Sequence, residues 1–167
     1  NINSLYSSVG YDLNKTRFRF FFHANLEINN NDFNSVFNNE DKSFLRNFVF
    51  PSYNTKFIYR FSRTKSVELS NMSSFTAPSM MSLNPFTDIS NPLVTIQGNP
   101  DLESTWKNTS SLYFLNRNIP KNITYSAKIK FDYTDNDVSD YSYYDDGGRQ
   151  FRTYANISGN KVLSLDS

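Results

Sequence analysis

Apolar and polar residues alternate strictly along three stretches of the chain. In Arg17 to Ile28 one face reads Phe18, Phe20, Phe22, Ala24, Leu26, Ile28, and the other reads Arg17, Arg19, Phe21, His23, Asn25, Glu27. Tyr53 to Phe61 sets Tyr53, Thr55, Phe57, Tyr59, Phe61 against Asn54, Lys56, Ile58, Arg60. Ile123 to Tyr133 sets Ile123, Tyr125, Ala127, Ile129, Phe131, Tyr133 against Thr124, Ser126, Lys128, Lys130, Asp132. Successive side chains of a strand point to opposite faces, so each segment has one oily and one wet surface. Extended along the chain, this period of two predicts seven strands: Leu5 to Leu13, Arg17 to Ile28, Tyr53 to Phe61, Ser66 to Phe75, Thr105 to Asn116, Ile123 to Tyr133 and Gln150 to Ile157. The pattern is thinner in Ser66 to Phe75 and blurs around Leu112 to Leu115.

The joints between these strands are of two kinds. Asn14-Lys15-Thr16, Ser62-Arg63-Thr64-Lys65 and Arg117 to Asn122 read as tight polar turns. Between them lie long connections near 29–52, 76–104 and 134–149. Loops of that length are uncommon in compact soluble domains. Regular exchange of short and long joints is the habit of membrane barrels, which have short periplasmic turns and long extracellular loops. Amphipathic strands alone also suit a soluble β-sandwich whose oily faces pack on each other. The pattern therefore fixes an all-β, antiparallel, up-and-down chain and leaves open what the oily face meets.

Composition narrows the classes. With 167 residues the chain has room for one domain, and aromatics reach 17% while all apolar residues make only 38%. Phe and Tyr with Asn, Ser and Asp argue for strands and turns rather than helices. A net charge of +1 without a basic stripe makes no case for nucleic acid. The chain has no cysteine, which removes disulfides, thiolate metal sites and thiol nucleophiles. No apolar run approaches the roughly 20 residues of a membrane helix, but a barrel strand needs only about 9–11 residues of half-apolar alternation. The first residues, Asn1-Ile2-Asn3-Ser4, carry no signal-peptide pattern, and the absent start Met fits a mature chain or an excised piece.

The middle of the chain carries a more specific mark. After the strand, tight turn and strand that end at Phe75 come Pro78, Leu83-Asn84-Pro85-Phe86, Asn91-Pro92 and Gly98-Asn99-Pro100-Asp101-Leu102. Upstream stands Phe50-Pro51-Ser52, and downstream Thr153-Tyr154-Ala155-Asn156-Ile157. In order and spacing these elements resemble the barrel portion of TonB-dependent outer-membrane receptors, especially the outer-membrane β-barrel family of Bacteroidetes type, over nearly the whole chain. Asn71 stands where that family usually has an aromatic, and Glu103-Ser104 where it usually has Lys-Pro. The resemblance implies a transmembrane β-barrel wall of about seven strands, with residues 1–167 forming a fragment of one barrel domain. It implies uptake of a nutrient ligand across the outer membrane. The partners it implies are outer-membrane lipid, the remaining strands and plug domain of the parent, and TonB through that parent. Neither a plug nor a TonB box is present in the sequence, and seven strands fall short of the roughly 22 of a transporter barrel.

Candidate functional residues follow from the two faces. Arg17, Arg19, His23, Lys56, Arg60, Lys128 and Lys130 form a mostly basic polar set, the candidate lumen lining, suited to anionic substrate groups or to acidic residues of a plug. Charges so placed are more often solvated or structurally paired. Tyr53, Tyr59, Tyr125 and Tyr133 stand near the ends of the oily faces, where girdle aromatics belong. Tyr141, Tyr143 and Tyr144, interleaved in the Asp-rich stretch from Asp132 to Asp146, are candidate extracellular contacts for a sugar or another flat ligand. That stretch lacks the Gly and closing Glu of a calcium loop, and His23 is the only histidine, so no metal or cofactor is expected. The Asn-x-Ser/Thr triplets at Asn14, Asn71, Asn108, Asn122 and Asn156 are what an Asn- and Ser-rich chain produces by chance. With no nucleophile elbow and no phosphate loop, the reading is non-enzymatic. The competing reading is a soluble secreted β-sandwich that binds glycans through loop tyrosines, with Phe18, Phe20 and Phe22 buried against a second sheet.

Overall fold

The computed structural model describes residues 2–37, 40–91 and 93–167, with side chains at 4–30, 45–88, 91 and 93–167. Seven strands form one antiparallel sheet in the order β1 (Ile2–Asn14), β2 (Phe18–Phe37), β3 (Glu40–Arg60), β4 (Lys65–Thr76), β7 (Thr105–Asn118), β8 (Ile123–Asp135) and β11 (Asn160–Asp166). Each strand pairs with the next one the chain supplies to this sheet, which makes it an up-and-down wall. Two excursions interrupt it. The first carries one helical turn, α1 (Met80–Leu83), then β5 (Thr87–Asn91) and β6 (Val94–Gln97); the second carries β9 (Asp137–Tyr144) and β10 (Gln150–Ile157). Their strands join as a small sheet in the order β5-β6-β10-β9, with β6 and β10 running parallel.

The tight turns form as their residues dictate. Lys15 N–H donates to the Phe18 carbonyl at 2.8 Å, and the Ser62 hydroxyl accepts from the amides of Thr64 and Lys65 at 3.2 and 3.1 Å. In the third turn Asn122 takes φ of +50°, a left-handed conformation that Asn tolerates better than most residues, and its amide donates to the Ile119 carbonyl at 3.1 Å. All three turns lie at one end of the wall, and the long connections at the other.

The connections differ from the sequence expectation. The segment 29–52 is not an open loop: β2 runs on to Phe37 and β3 starts at Glu40, and the two pair without interruption from Phe18↔Tyr59 to Phe37↔Glu40. Residues 76–104 contain α1, β5 and β6, and residues 134–149 contain all of β9. The predicted wall strand Gln150 to Ile157 is β10 of the small sheet, and the seventh wall strand is β11, where Lys161, Leu163 and Leu165 alternate with Val162 and Ser164.

The packed core is small and sits where the excursions leave the wall. Among the described residues the buried hydrophobics are Phe48, Phe50, Leu83 and Leu102, with Phe75, Ala77, Val138 and Tyr154 packed against them. The β3–β4 ladder ends at Tyr53↔Ser73, while β3 continues beside β2. Along that freed stretch the rings of Phe48 and Phe50 stack with centroids 5.9 Å apart, and Phe75 lies 6.4 Å from Phe50. Leu83 and Leu102 are fully buried against them.

The motif residues of the sequence build this junction. A Cβ on Gly98 would lie 2.6 Å from the Asn84 amide nitrogen and 2.8 Å from the Ser82 carbonyl oxygen, so only glycine lets the two backbones approach. Next to it the Asn99 amide donates to the Ser82 carbonyl at 2.7 Å, and the Asn99 side chain donates to the Tyr154 carbonyl at 3.1 Å. Asn156 accepts from the Glu103 amide at 2.8 Å and donates to the Glu103 and Asn136 carbonyls at 3.0 and 2.8 Å. Phe50, the Leu83 and Gly98 segments, and the Tyr154-Asn156 strand therefore converge on one knot. Pro92 lies outside the described residues.

Candidate functional site

The register converts alternation into two continuous surfaces. One row crosses all seven wall strands through Leu13, Phe20, Phe57, Leu69, Leu112, Ile129 and Leu165. The row one residue over crosses them through Asp12, Phe21, Lys56, Ser70, Ser111, Lys130 and Ser164. Every member of the first is apolar, and all but Phe21 of the second are polar. No second sheet covers the apolar surface among the described residues: Val9, Leu69, Ile129, Phe131, Leu163 and Leu165 are all exposed, and Phe18, Phe20 and Phe22 only half-buried. That removes the packing on which the soluble-sandwich reading depended.

The apolar surface has the height of a membrane wall. Tyr125 and Tyr133 mark its ends on β8, and eight residues at about 3.3 Å each, tilted as barrel strands are, give a band roughly 20 Å tall, against about 25 Å for known barrels. On β3, Tyr53 shares the row of Tyr133, and Tyr59 lies in the row of Ala127, two residues inside that of Tyr125. Within the band the row Tyr11, Phe22, Thr55, Asn71, Ser110, Phe131, Leu163 turns polar over three strands. There the short side chains of Thr55, Asn71 and Ser110 leave a hollow of about 430 Å³ rimmed by Phe57, Leu69, Leu112, Ile129 and Phe131. An amide facing hydrocarbon must find its partners within the protein. Asn71 donates to Asn108 at 3.0 Å and to the Ser110 hydroxyl at 2.7 Å, and Asn108 donates to the Tyr53 hydroxyl at 3.1 Å. Asn71, the departure from the family pattern, is thus matched by its neighbours across the ladder.

The polar face collects the basic set. Arg19 and His23 on β2, Lys56 and Arg60 on β3, and Lys128 and Lys130 on β8 share it by register, while Arg17 lies in the turn before β2. Three are in ion pairs: Arg19 with Asp12, Lys56 with Glu68 at 2.9 Å, and Lys130 with Asp132 at 2.6 Å. Thr109 adds a hydrogen bond to Asp132. His23 stacks beside Phe21 at 6.3 Å and fills the space over Gly10. The face is therefore internally compensated over much of its area.

The three candidate tyrosines do not act as a group. Tyr141 and Tyr143 share one face of the small sheet with Phe151, and Tyr144 points to the other. Tyr143 and Phe151 stack with centroids 5.2 Å apart and 9° between planes, and Tyr141 follows at 6.2 Å. Val138 and Tyr154, on the opposite face, pack on the knot, so the aromatic row looks outward. Phe151 was not among the candidates, because its partner could be named only once β9 and β10 were paired.

The hairpin carrying this row is closed by Asp145. Its carboxylate accepts from the amides of Arg149 and Gly147 at 2.8 and 3.0 Å and from the Arg149 guanidinium at 2.9 Å. The Arg149 amide is the main reason its pKa lies below the ordinary carboxylate value, helped by the guanidinium against partial desolvation. A folded pKa below the unfolded one stabilises the turn above the unfolded value near about 4, and that stabilisation fades as pH falls through the folded pKa. The Gly147 and Arg149 amide resonances should therefore titrate together below about pH 4, and in Asp145→Asn should show no such step. Among the described residues no three His, Cys, Asp or Glu side chains are grouped to hold a metal ion.

A two-faced antiparallel wall with tight turns at one end and folded excursions at the other is a membrane barrel wall. The chain belongs to the outer membrane protein beta-barrel family, whose model matches residues 1–167. It is an outer-membrane protein. No curated protein matches it in sequence. Among solved structures it is similar to the siderophore receptor PirA from Pseudomonas aeruginosa, with a TM-score of 0.62 and 12% identity over 98% of this chain. The chain spans 38% of that receptor's length.

Proposed function

We propose that this chain is part of the barrel wall of a TonB-dependent receptor, of the type abundant in Bacteroidetes, that takes up a nutrient ligand and performs no chemistry on it. The observation that carries the reading is the build of the excursions. At the end where barrels present their extracellular loops, they form a second sheet that is locked to the wall by the family's motif residues and displays an aromatic row outward. Such a device suits capture of a ligand before passage. In this reading the face bearing Arg19, His23, Lys56, Arg60, Lys128 and Lys130, with Arg17 in the turn at its edge, lines the lumen, where Arg60 and Lys128 remain outside the ion pairs found among the described residues. Those two are the groups best placed to meet acidic residues of a plug or an anionic ligand. The likeness to a siderophore receptor supports a receptor with this architecture.

The test uses the full-length parent in outer-membrane vesicles and in cells. Uptake of candidate ligands, ferric siderophores and oligosaccharides among them, is expected to stop when the proton-motive force is collapsed while surface binding persists. Energy-independent passage with every ligand would contradict the receptor reading. Tyr143→Ala should weaken ligand binding about three- to tenfold, the worth of one aromatic contact, and Tyr144→Ala should not.

A further inference from the structure

The net charge of +1 hides a steep polarity along the wall. No Asp or Glu occurs from 13 to 26, from 42 to 67 or from 104 to 131, and these stretches contain all three tight turns. The turns and the residues beside them carry Lys15, Arg17, Arg63, Lys65, Arg117 and Lys121. The fold brings them together: the Arg17 carbonyl accepts from the Arg60 amide at 2.7 Å, and the Thr64 carbonyl accepts from the Arg117 amide at 2.9 Å, so the first turn is tied to β3 and the second to β7. None of the six takes part in an ion pair among the described residues. The far end carries Asp101, Glu103, Asp137, Asp140, Asp145 and Asp146.

Part of this rim continues the lipid-facing surface. Lys65, Asn116 and Tyr125 occupy one row across β4, β7 and β8, on the same face as Leu69, Leu112 and Ile129. With Arg117 and Asn118 they line a hollow of about 350 Å³ at the foot of the apolar wall. It offers an ammonium, two carboxamides and a phenol, and no carboxylate, while Arg117 pairs with Thr124 and falls on the polar face beside it.

We propose that this rim binds anionic phospholipid, with the lipid phosphate seated in the hollow of Lys65, Asn116, Asn118 and Tyr125 in the leaflet at the tight-turn end, and Lys121 and Arg117 adding to the positive field of the rim. Charge complementarity calls for an anion, and continuity with the apolar wall calls for one attached to acyl chains. An acidic protein segment would gain nothing from the adjoining Val67 and Phe114 surface. The leaflet is the periplasmic one by the usual orientation of short turns. Each basic residue near an anionic membrane surface is worth roughly fivefold in binding.

The test takes the full-length barrel through mixed micelles of phosphatidylglycerol and phosphatidylcholine and counts retained lipids by native mass spectrometry. The folded barrel is expected to retain phosphatidylglycerol in at least tenfold preference. Combined Lys65→Gln, Arg117→Gln and Lys121→Gln should erase that preference, whereas Lys65→Arg and the opposite-end Lys161→Gln should keep it. Heat-modifiable gel migration selects the folded fraction of each variant. No preference in the unaltered barrel, or an unchanged one in the triple variant, overturns the proposal. So does displacement of the lipid by millimolar inorganic phosphate, which would make the hollow a small-anion site. The readout is independent of ligand uptake, so its failure would leave the receptor reading standing.

Discussion

Gly98→Val is expected to detach the excursions from the wall while the wall itself still folds. The added side chain would begin with a Cβ pressed against the Asn84 carbonyl and within 2.6 Å of its amide nitrogen, atoms that cannot rotate away. Relief requires the Gly98 backbone to withdraw, and withdrawal breaks the adjacent bond from the Asn99 amide to Ser82. That bond is part of the clasp that seats Leu102, whose carbonyl also accepts from Arg46. Leu102→Ala removes only the side chain and should cost about 2–5 kcal/mol, the usual loss for a fully buried leucine. Gly98→Val should cost more, because it displaces backbone as well as opening the core. Hydrogen exchange in the folded barrel reads both. In Gly98→Val, protection is expected to vanish in β5, β6 and β10 and to persist in β4, β7 and β8. Protection in the small sheet equal to that of the unaltered protein would show that the knot does not hold it.

How much of this was legible in the sequence depended on how local its cause was. The faces of β2, β3 and β8 were readable because side-chain alternation is a property of a single strand. The tight turns were readable because Asn14-Lys15, Ser62 and Asn118 to Asn122 carry their own turn chemistry. The extensions of β2 and β3 were not, since Asn29-Asn30-Asn31-Asp32 is a poor strand by propensity and becomes one only by pairing with the returning chain. The exchange of β10 for β11 has the same origin. Gln150 to Ile157 is a good strand, but its assignment to the small sheet depends on β6, more than fifty residues earlier. The motif residues marked the family without revealing their role, because Leu83, Gly98 and Asn156 meet only in three dimensions. The basic rim was missed because net charge sums over both ends of the wall.

Sidedness is the claim on which the membrane reading stands, and two adjacent residues of β7 test it. Leu112 lies in the apolar row between Leu69 and Ile129, and Ser111 lies in the polar row between Ser70 and Lys130. They share a strand, nearly the same depth and the same two neighbouring strands, and differ in the face they present. Leu112→Arg places a guanidinium in the middle of the hydrocarbon band, where such a charge costs roughly 2–4 kcal/mol in a barrel. The neighbouring hollow offers Asn71 and Ser110, whose amide and hydroxyl already bond to each other and which carry no charge to compensate it. Ser111→Arg places the same group on the wet face, where it can stay hydrated, and should cost less than about 1 kcal/mol apart from repulsion with Lys130. Reversible unfolding of the full-length barrel from phospholipid vesicles by guanidinium, followed by tryptophan emission, gives both numbers. Leu112→Arg is expected to shift the midpoint down by the larger amount, and thinner bilayers should reduce the gap between the two variants as position 112 nears the interface. If Ser111→Arg proved the costlier change, the faces would be reversed: the row from Leu13 to Leu165 would line the interior, and the basic set would be the surface turned to lipid.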